Sequence, residues 1–580
     1  MEWRDTREFI EALRRSGDLT VVEEETHWDL ELGAMGRLAC ERGSPSLWFK
    51  RITDYPDWTV FMNPLATWRR VAIAMGLLPE SSVREIYKEY EKREGQLIPP
   101  GLVQDGPCKE VVKRDDEVDL FSLPAPMLHE GDGGRYLGTW DLVVSADPTS
   151  PWVNWGIYRF MLYGRRHLTG FPRPTSHLGK VFLDHYVPSK KPMPIAIVIG
   201  ADPLCHLAAS ATYQLGGDEV SLAGGLRGKA VEIVRCETSD LLVPATAEIV
   251  IEAEVLPDRV GLEGPYGEYP GYRTGEMGNG ILCRVNTITH RHHPILTVDA
   301  TGYKDDSATI TSMSGALAIK RRLERHGIPV VDVYVPPEGA VHAAVVAVRQ
   351  GGGEIARKTL EVLTSRRALL SKIFVVDSDV DPFDMGMVLH AFATKCHPGK
   401  GIHVVRYEGR ANTLTPCYSQ EERIRQQGAT VAFDCTWPRE WSSEWEVPVK
   451  ATFDTIFPEP LQKKIIQQTK SYETGIHDRG WETFVRRPED LREGIEIPLI
   501  IRDLTPGPKK YALRHVIGIL SRKTENVKEA LWVRTVVGKL LPEPWGLKII
   551  HELPIELPGT PYQDAYKAIR AAQSKPHERG

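Results

Sequence analysis

The chain has 580 residues, 42% of them hydrophobic, which is enough apolar material for more than one core and about three or four domains. Its 72 basic and 78 acidic residues are interspersed and leave a formal net charge of -6, so no global attraction to nucleic acid or to an anionic membrane is expected. Eight cysteines lie far apart without a CxxC pair, which argues against a zinc ribbon, an iron-sulfur site or a disulfide framework and for reduced structural thiols.

The opening MEWRDTREFIEALRRSG carries charge where a signal peptide needs an apolar stretch, and no run approaches the ~18 apolar residues of a membrane span. A cytoplasmic location follows as the expectation. Asp5 and Thr6 offer caps to a first helix that carries Phe9, Ile10 and Leu13 on one face and ends at Gly17. Helical and short apolar segments alternate up to the Pro/Gly-rich stretch 98–107, a plausible boundary for an N-terminal α/β domain. From about 118 to 300 strand patterns dominate. In ATAEIVIEAEV, Ile249, Ile251, Ala253 and Val255 alternate with Glu248, Glu252 and Glu254, predicting one buried and one wet face of a barrel-like or sandwiched sheet. Residues 313–326 read as a helix with Gly327 at its C-cap, followed by strands among helices that predict a third, α/β domain. Beyond about 440 the chain is rich in Trp, Pro and charge and ends in an amphipathic segment, DAYKAIRAA, and a polar tail.

Residues 263–268, Glu-Gly-Pro-Tyr-Gly-Glu, hold two carboxylates across a turn that can bring both towards one cavity, an arrangement suited to proton transfer but equally compatible with a solvated turn. Asn154 and Arg159 lie in NWGIYRF, on opposite faces of a strand unless a bulge or turn intervenes, and a buried Arg159 needs an acidic partner such as Glu263 or Glu268. His177 and Glu219 join Asn154 as an N/O donor set suited to Mn²⁺ or Mg²⁺ at a phosphate, or else are ordinary hydrogen-bonded residues. The cluster His290-Arg291-His292-His293 reads as a solvated turn. Asp377, Asp379 and Asp381 read as a strand end and helix cap rather than a calcium loop, because Pro382 takes the glycine position. No GxGxxG follows a strand and neither GxxxxGK[ST] nor GxSxG occurs, so Rossmann, P-loop and α/β-hydrolase chemistry lack their prerequisites.

In order and spacing, Asn154-x4-Arg159, His177, Glu219 before AGGLRG, CETSDLLVPATAEIVIEAEV and Glu263-GPYG-Glu268 closely resemble the UbiD family of prenylated-FMN-dependent decarboxylases. The likeness covers roughly residues 1–470, and the last hundred or so show no clear counterpart. It implies a mixed, multidomain α/β fold: an N-terminal α/β domain (1–115), a central split β-barrel flavin-binding domain (116–304), a connecting helix (305–330), a C-terminal α/β oligomerisation domain (331–470) and an extension (471–580).

The resemblance implies Arg159, Glu263 and Glu268 as the catalytic set and Asn154, His177 and Glu219 as metal ligands. It implies Asn154, Gly156, Ile157, Tyr158, Arg159, Ser176, His177, Ala209, Ser210, Thr212, Glu219 and Lys372 as cofactor contacts, although the segment Ala209-Ser210-Ala211-Thr212 has less serine than the family often shows. Tyr269, Thr309 to Met313 and Thr394 to His397 would line the substrate pocket. The implied cofactors are prenylated FMN, Mn²⁺ (or Mg²⁺) and K⁺. The implied partners are a small carboxylic acid, a flavin prenyltransferase as cofactor source, and a second copy in a homodimer or higher assembly. The implied reaction is a reversible, non-oxidative decarboxylation of an aromatic, heteroaromatic or other α,β-unsaturated acid. Losing CO₂ leaves electrons that no side chain can accept, so a cofactor is required. In the family the substrate bonds covalently to the flavin and a protonated carboxyl group, here Glu268, supplies the proton; a pocket with little water would suit that acid. The alternatives are a partner-dependent aryl carboxylase subunit and a non-catalytic flavin or metal carrier.

Overall fold

The computed structural model describes residues 3–273, 278–349, 351–365, 370–441 and 447–469. The first helix, Thr6–Arg15, starts as its sequence dictates: the Asp5 carboxylate accepts from Glu8 N at 3.0 Å, and Phe9, Ile10 and Leu13 are buried. Strands Leu19–Thr26, Ser46–Ile52 and Thr59–Met62 form the N-terminal sheet. Its fourth strand is Ile295–Val298, so the chain returns to this sheet after building the centre.

The central sheet has nine strands. In spatial order they are Tyr136–Gly138, Phe160–Gly164, His167–Gly170, Gly278–His290, Ile249–Glu263, Met193–Ile199, Asp141–Ala146 and Val153–Gly156, with Val111–Arg114 also paired to Gly278–His290. Val153–Gly156 and Phe160–Gly164 sit six positions apart in this order, yet only residues 157–159 connect them. A flat sheet would separate them by roughly 29 Å, whereas four Cα steps span at most about 15 Å. The sheet therefore curls into a half-barrel, and the closing link contains Arg159.

Both faces of this sheet are covered. Ala196 and Val198 enter one core with Trp140 and Val250, while Ile195, Ile197 and Ile199 enter another with Ile249, Ile251 and Val255. This corrects the wet face predicted from alternation: Glu248 and Glu252 are buried. Glu248 accepts from Arg7 at 2.7 and 2.8 Å and lies 3.4 Å from Arg291, and Glu252 accepts from the Glu237 and Thr238 amides at 2.6 Å. A polar residue on the second face was paired rather than solvated because another layer packs there. The same pairing corrects the solvated turn expected at 290–293, where His290 and Arg291 are buried and Arg291 also donates to Asp5 at 2.9 Å; His292 and His293 are exposed.

The connecting helix spans Asp306–Arg325, seven residues longer at its start than the periodicity predicted, because Asp305 caps it by accepting from Ala308 N at 2.7 Å. It leads to a five-stranded sheet ordered Val330–Tyr334, Ala343–Val348, Lys372–Asp377, Gly428–Cys435 and Ile402–Tyr407, with three parallel central strands and two antiparallel edges. Asp377 ends its strand as predicted, but the following helix is capped by Asp384; Asp377 and Asp379 instead hold Lys395 at 3.2 and 2.9 Å. All eight cysteines are free and six are buried. A separate unit begins at Glu444, and its described part carries helices Phe453–Ile456 and Glu459–Thr469. The amphipathic DAYKAIRAA segment lies outside the described residues, among which no helix is long and apolar enough to cross a membrane.

Glu248→Ala removes the acceptor shared by Arg7 and the buried Arg291 and leaves Arg291 with Asp5 alone. It is expected to cost about 1.5–3 kcal/mol, read as a lowered denaturant midpoint with an unchanged slope.

Candidate active site

The half-barrel encloses a cavity of about 660 Å³, within the roughly 300–1,000 Å³ typical of cofactor and ligand pockets. At one end stands Arg159. Its Nε and Nη2 donate to the two oxygens of Glu263 at 2.8 and 2.7 Å, and its Nη1 donates to Glu268. The turn or bulge that the strand period required is the link 157–159, which frees Arg159 from the alternation of Val153–Gly156. Glu263 closes the long strand Ile249–Glu263, Glu268 sits in the short hairpin Gly267–Glu268 with Tyr272–Arg273, and the Gly264-Pro265 peptide between them is cis. Burial alone would lower the Arg159 pKa, but Glu268 and Glu263 more than offset it, so the guanidinium is held firmly charged.

Tyr136 completes this end and was missed in the sequence. Its hydroxyl donates to Glu263 Oε1 at 2.7 Å, and its ring lies 4.2 Å from that of Tyr266, which faces the Arg159 guanidinium at 5.2 Å. Burial and the Glu263 carboxylate push the Tyr136 pKa up, so it stays a neutral donor.

At the other end three donor groups converge. His177 Nδ1 is 3.1 Å from Asn154 Oδ1 and 3.8 Å from Glu219 Oε1. Ser176 caps the short helix that opens with His177, and Asp218 caps Glu219–Arg227, so both ligand candidates are first residues of capped helices. Burial pushes the Glu219 pKa up to about 7, with only backbone amides to stabilise its charge; a cation there would relieve that cost. The amide, imidazole and carboxylate thus fit a hard divalent cation, although no cluster of three or more His, Cys, Asp or Glu suited to a metal occurs among the described residues.

Between the two ends the cavity is lined by Gly156, Ile157 and Tyr158, by Ala209, Ser210, Ala211 and Thr212, and by Tyr269. A side chain on Gly156 would meet the Tyr158 ring at 2.6 Å, so the backbone is left bare towards the cavity. The residues present fit a flavin in size and in polar ends. Two sets expected to line the cavity do not. Lys372 is exposed at the start of its strand and donates to Ser371 Oγ at 3.0 Å, and Thr394 to His397 lie at the end of the Met385–Lys395 helix, away from the cavity lining. From the third domain, Thr413 and Leu414 line the cavity instead, and from 307–313 Ser307 and Thr311 do so while Thr309 and Met313 are buried in the helix packing.

Models of the 3-octaprenyl-4-hydroxybenzoate carboxy-lyase N-terminal, Rift-related and C-terminal domains match residues 10–90, 102–304 and 308–435. Pyrrole-2-carboxylic acid decarboxylase of Pseudomonas aeruginosa is 31% identical over 491 residues, covering 81% of this chain and 98% of that protein.

This chain belongs to the UbiD family.

It is a carboxy-lyase of the UbiD type. An evolved dimeric form of the UbiD-class enzyme HmfF from Pelotomaculum thermopropionicum, solved in complex with prFMN, superimposes with a TM-score of 0.66 at 27% identity, covering 76% of this chain and 96% of that one. Vanillic acid decarboxylase of Sedimentibacter hydroxybenzoicus in its closed form gives 0.71 at 27% identity, covering 82% and 100%. The final stretch, for which the sequence suggested no counterpart, also matches a model: residues 479–557 correspond to the phenylphosphate carboxylase gamma subunit.

Tyr136→Phe removes the third hydrogen bond to Glu263 while leaving its two from Arg159. We expect kcat/KM to fall about tenfold with flavin content unchanged.

Proposed function

We propose that the protein catalyses reversible, non-oxidative decarboxylation of an aromatic or heteroaromatic carboxylic acid with prenylated FMN in the half-barrel. The observation that carries this reading is the half-buried Arg159 shared by Glu263 and Glu268, in the lining of the same cavity as a phosphate-compatible donor set.

Asn154, His177 and Glu219 would hold Mn²⁺ or Mg²⁺, with K⁺ as its companion, at the cofactor phosphate, and the segments 156–158 and 209–212 would flank the ring system. When bound, the prenylated flavin supplies the electron sink that decarboxylation needs. Arg159 binds and orients the substrate carboxylate, held in register by Glu263 and Tyr136. Glu263 makes three of the hydrogen bonds at this end and is almost fully buried, so it is the fixed member of the pair. The Glu268 side chain, on a short hairpin, has Arg159 as its hydrogen-bond partner among the described residues. An incoming carboxylate competes for Arg159 and releases the Glu268 carboxylate, which takes up a proton from solvent in that exchange and then delivers it from its carboxyl oxygen to the carbon that has lost CO₂. The hydrophobic and aromatic wall of Phe171, Tyr266 and Leu414 excludes water from that carbon.

A second reading is favoured by the match at 479–557: the chain is an aryl carboxylase that carries in itself a segment resembling a partner subunit. The two differ in physiological direction and not in the residues used. Label exchange between ¹³C-bicarbonate and a phenolic or pyrrole acid, with the single purified chain and reconstituted cofactor, decides whether a separate partner is needed.

Glu268→Gln is expected to retain the flavin and lose CO₂ release by at least about a hundredfold; turnover within a few-fold of wild type would overturn the proton-donor assignment. His177→Ala is expected to lower flavin occupancy, measured by absorbance per protein, before any effect on chemistry is considered.

A further inference from the structure

The loop preceding Tyr136 crosses over the turn that carries the two glutamates, and it does so through a histidine whose two ring nitrogens both face acceptors. His129 Nε2 is 2.9 Å from the carbonyl oxygen of Thr301, and His129 Nδ1 is 3.0 Å from Asp132 Oδ2. The other oxygen, Asp132 Oδ1, accepts the amide of Gly267 at 2.9 Å, the residue immediately before Glu268. The Asp132 side chain is fully buried and that of His129 is 22% exposed.

A carbonyl oxygen only accepts, so Nε2 carries a proton. If Nδ1 were bare, its lone pair would face a carboxylate oxygen at hydrogen-bond distance, which is repulsive. The pair therefore holds one proton more than a neutral imidazole beside a carboxylate. Imidazole is the stronger base, and the Gly267 amide stabilises the carboxylate form of Asp132. We propose that His129 is an imidazolium that clamps Asp132 onto the Gly267 amide and so positions Glu268. This deepens the decarboxylase reading and rests on it for its catalytic consequence, though not for the protonation state itself.

The clamp has no slack. A side chain on Gly267 would meet His129 Nδ1 at 2.4 Å, and Gly133, two residues past the loop's tip, donates to Pro265 O at 2.7 Å with no room for a side chain against Gly264 O. Tyr266, between the two glutamates, lies 6.3 Å from the His129 ring and shares a 2.6 Å hydrogen bond with Thr301 Oγ1. The turn and the Thr301 segment are thus tied together on both sides of the ring. Beside the His129 ring stand Asp132 of its own loop and Tyr266 of the turn, and Arg273 of the hairpin donates to the carbonyl of the neighbouring Glu130 at 2.9 Å.

Two variants and one spectrum test this. Asp132→Asn replaces the mobile proton by a fixed N–H: its Oδ1 still accepts from Gly267 and its Nδ2 donates to a neutral His129. It is expected to keep kcat within about threefold of wild type, whereas Asp132→Ala and His129→Ala lose about 10- to 100-fold in kcat with little change in KM. In the ¹⁵N-histidine spectrum of the wild-type protein at neutral pH, both ring nitrogens of His129, assigned by their absence in His129→Gln, should be protonated. A bare ring nitrogen, or Asp132→Asn as impaired as Asp132→Ala, overturns the proposal. The spectrum is read without turnover, so it decides the clamp even where the decarboxylase reading fails.

Discussion

One half-buried guanidinium sets the terms for the rest of the molecule. Arg159, its side chain only 17% exposed, is largely withdrawn from water at the point where a curled sheet closes on itself, and such a charge is tolerable only when its hydrogen bonds are met. Glu263 meets it from the end of the longest strand and Glu268 from the hairpin that follows, so the closure of the half-barrel and the assembly of the site are one event. The local charge is then one cation against two anions. In the proposed mechanism that excess would let a substrate carboxylate exchange with Glu268 without leaving Arg159 unpaired, while the Tyr136 hydroxyl holds Glu263.

The same stretch of chain builds the opposite end. Asn154 projects from the strand Val153–Gly156 towards His177, and five residues later the link presents Arg159 to the glutamates. Six residues therefore carry both a member of the donor set suited to a cation and the carboxylate-binding group. A flavin held at its phosphate would reach the reacting end with a distance fixed by covalent chain rather than by domain packing, which is the preorganisation that positioning catalysis requires.

How much of this the sequence disclosed varied with the range of the interaction. The opening helix was legible because its cap and apolar face are local. The Arg159, Glu263 and Glu268 set was legible through the resemblance to the UbiD family rather than through spacing alone, and the structure brings its members together. Tyr136 was not, since it meets Glu263 across 127 residues and carries no motif of its own. Alternation correctly placed Ile249 to Val255 in a core but could not say that the opposite face was covered too, and so it left Glu248 and Glu252 in water. Lys372 and the segment 394–397 were assigned by family position; they are not among the residues that line the cavity, to which the third domain contributes Thr413 and Leu414.

The central claim is that Glu268 moves a proton to and from one carbon of the substrate, and proton exchange into the decarboxylated product isolates that step from CO₂ loss. The holoenzyme is incubated with the decarboxylated arene or heteroarene in D₂O, and deuterium is located by NMR. Exchange at the single carbon that bears the carboxyl group in the acid, lost in Glu268→Gln and retained when CO₂ is absent, is the result predicted. Undiminished exchange in Glu268→Gln would contradict it.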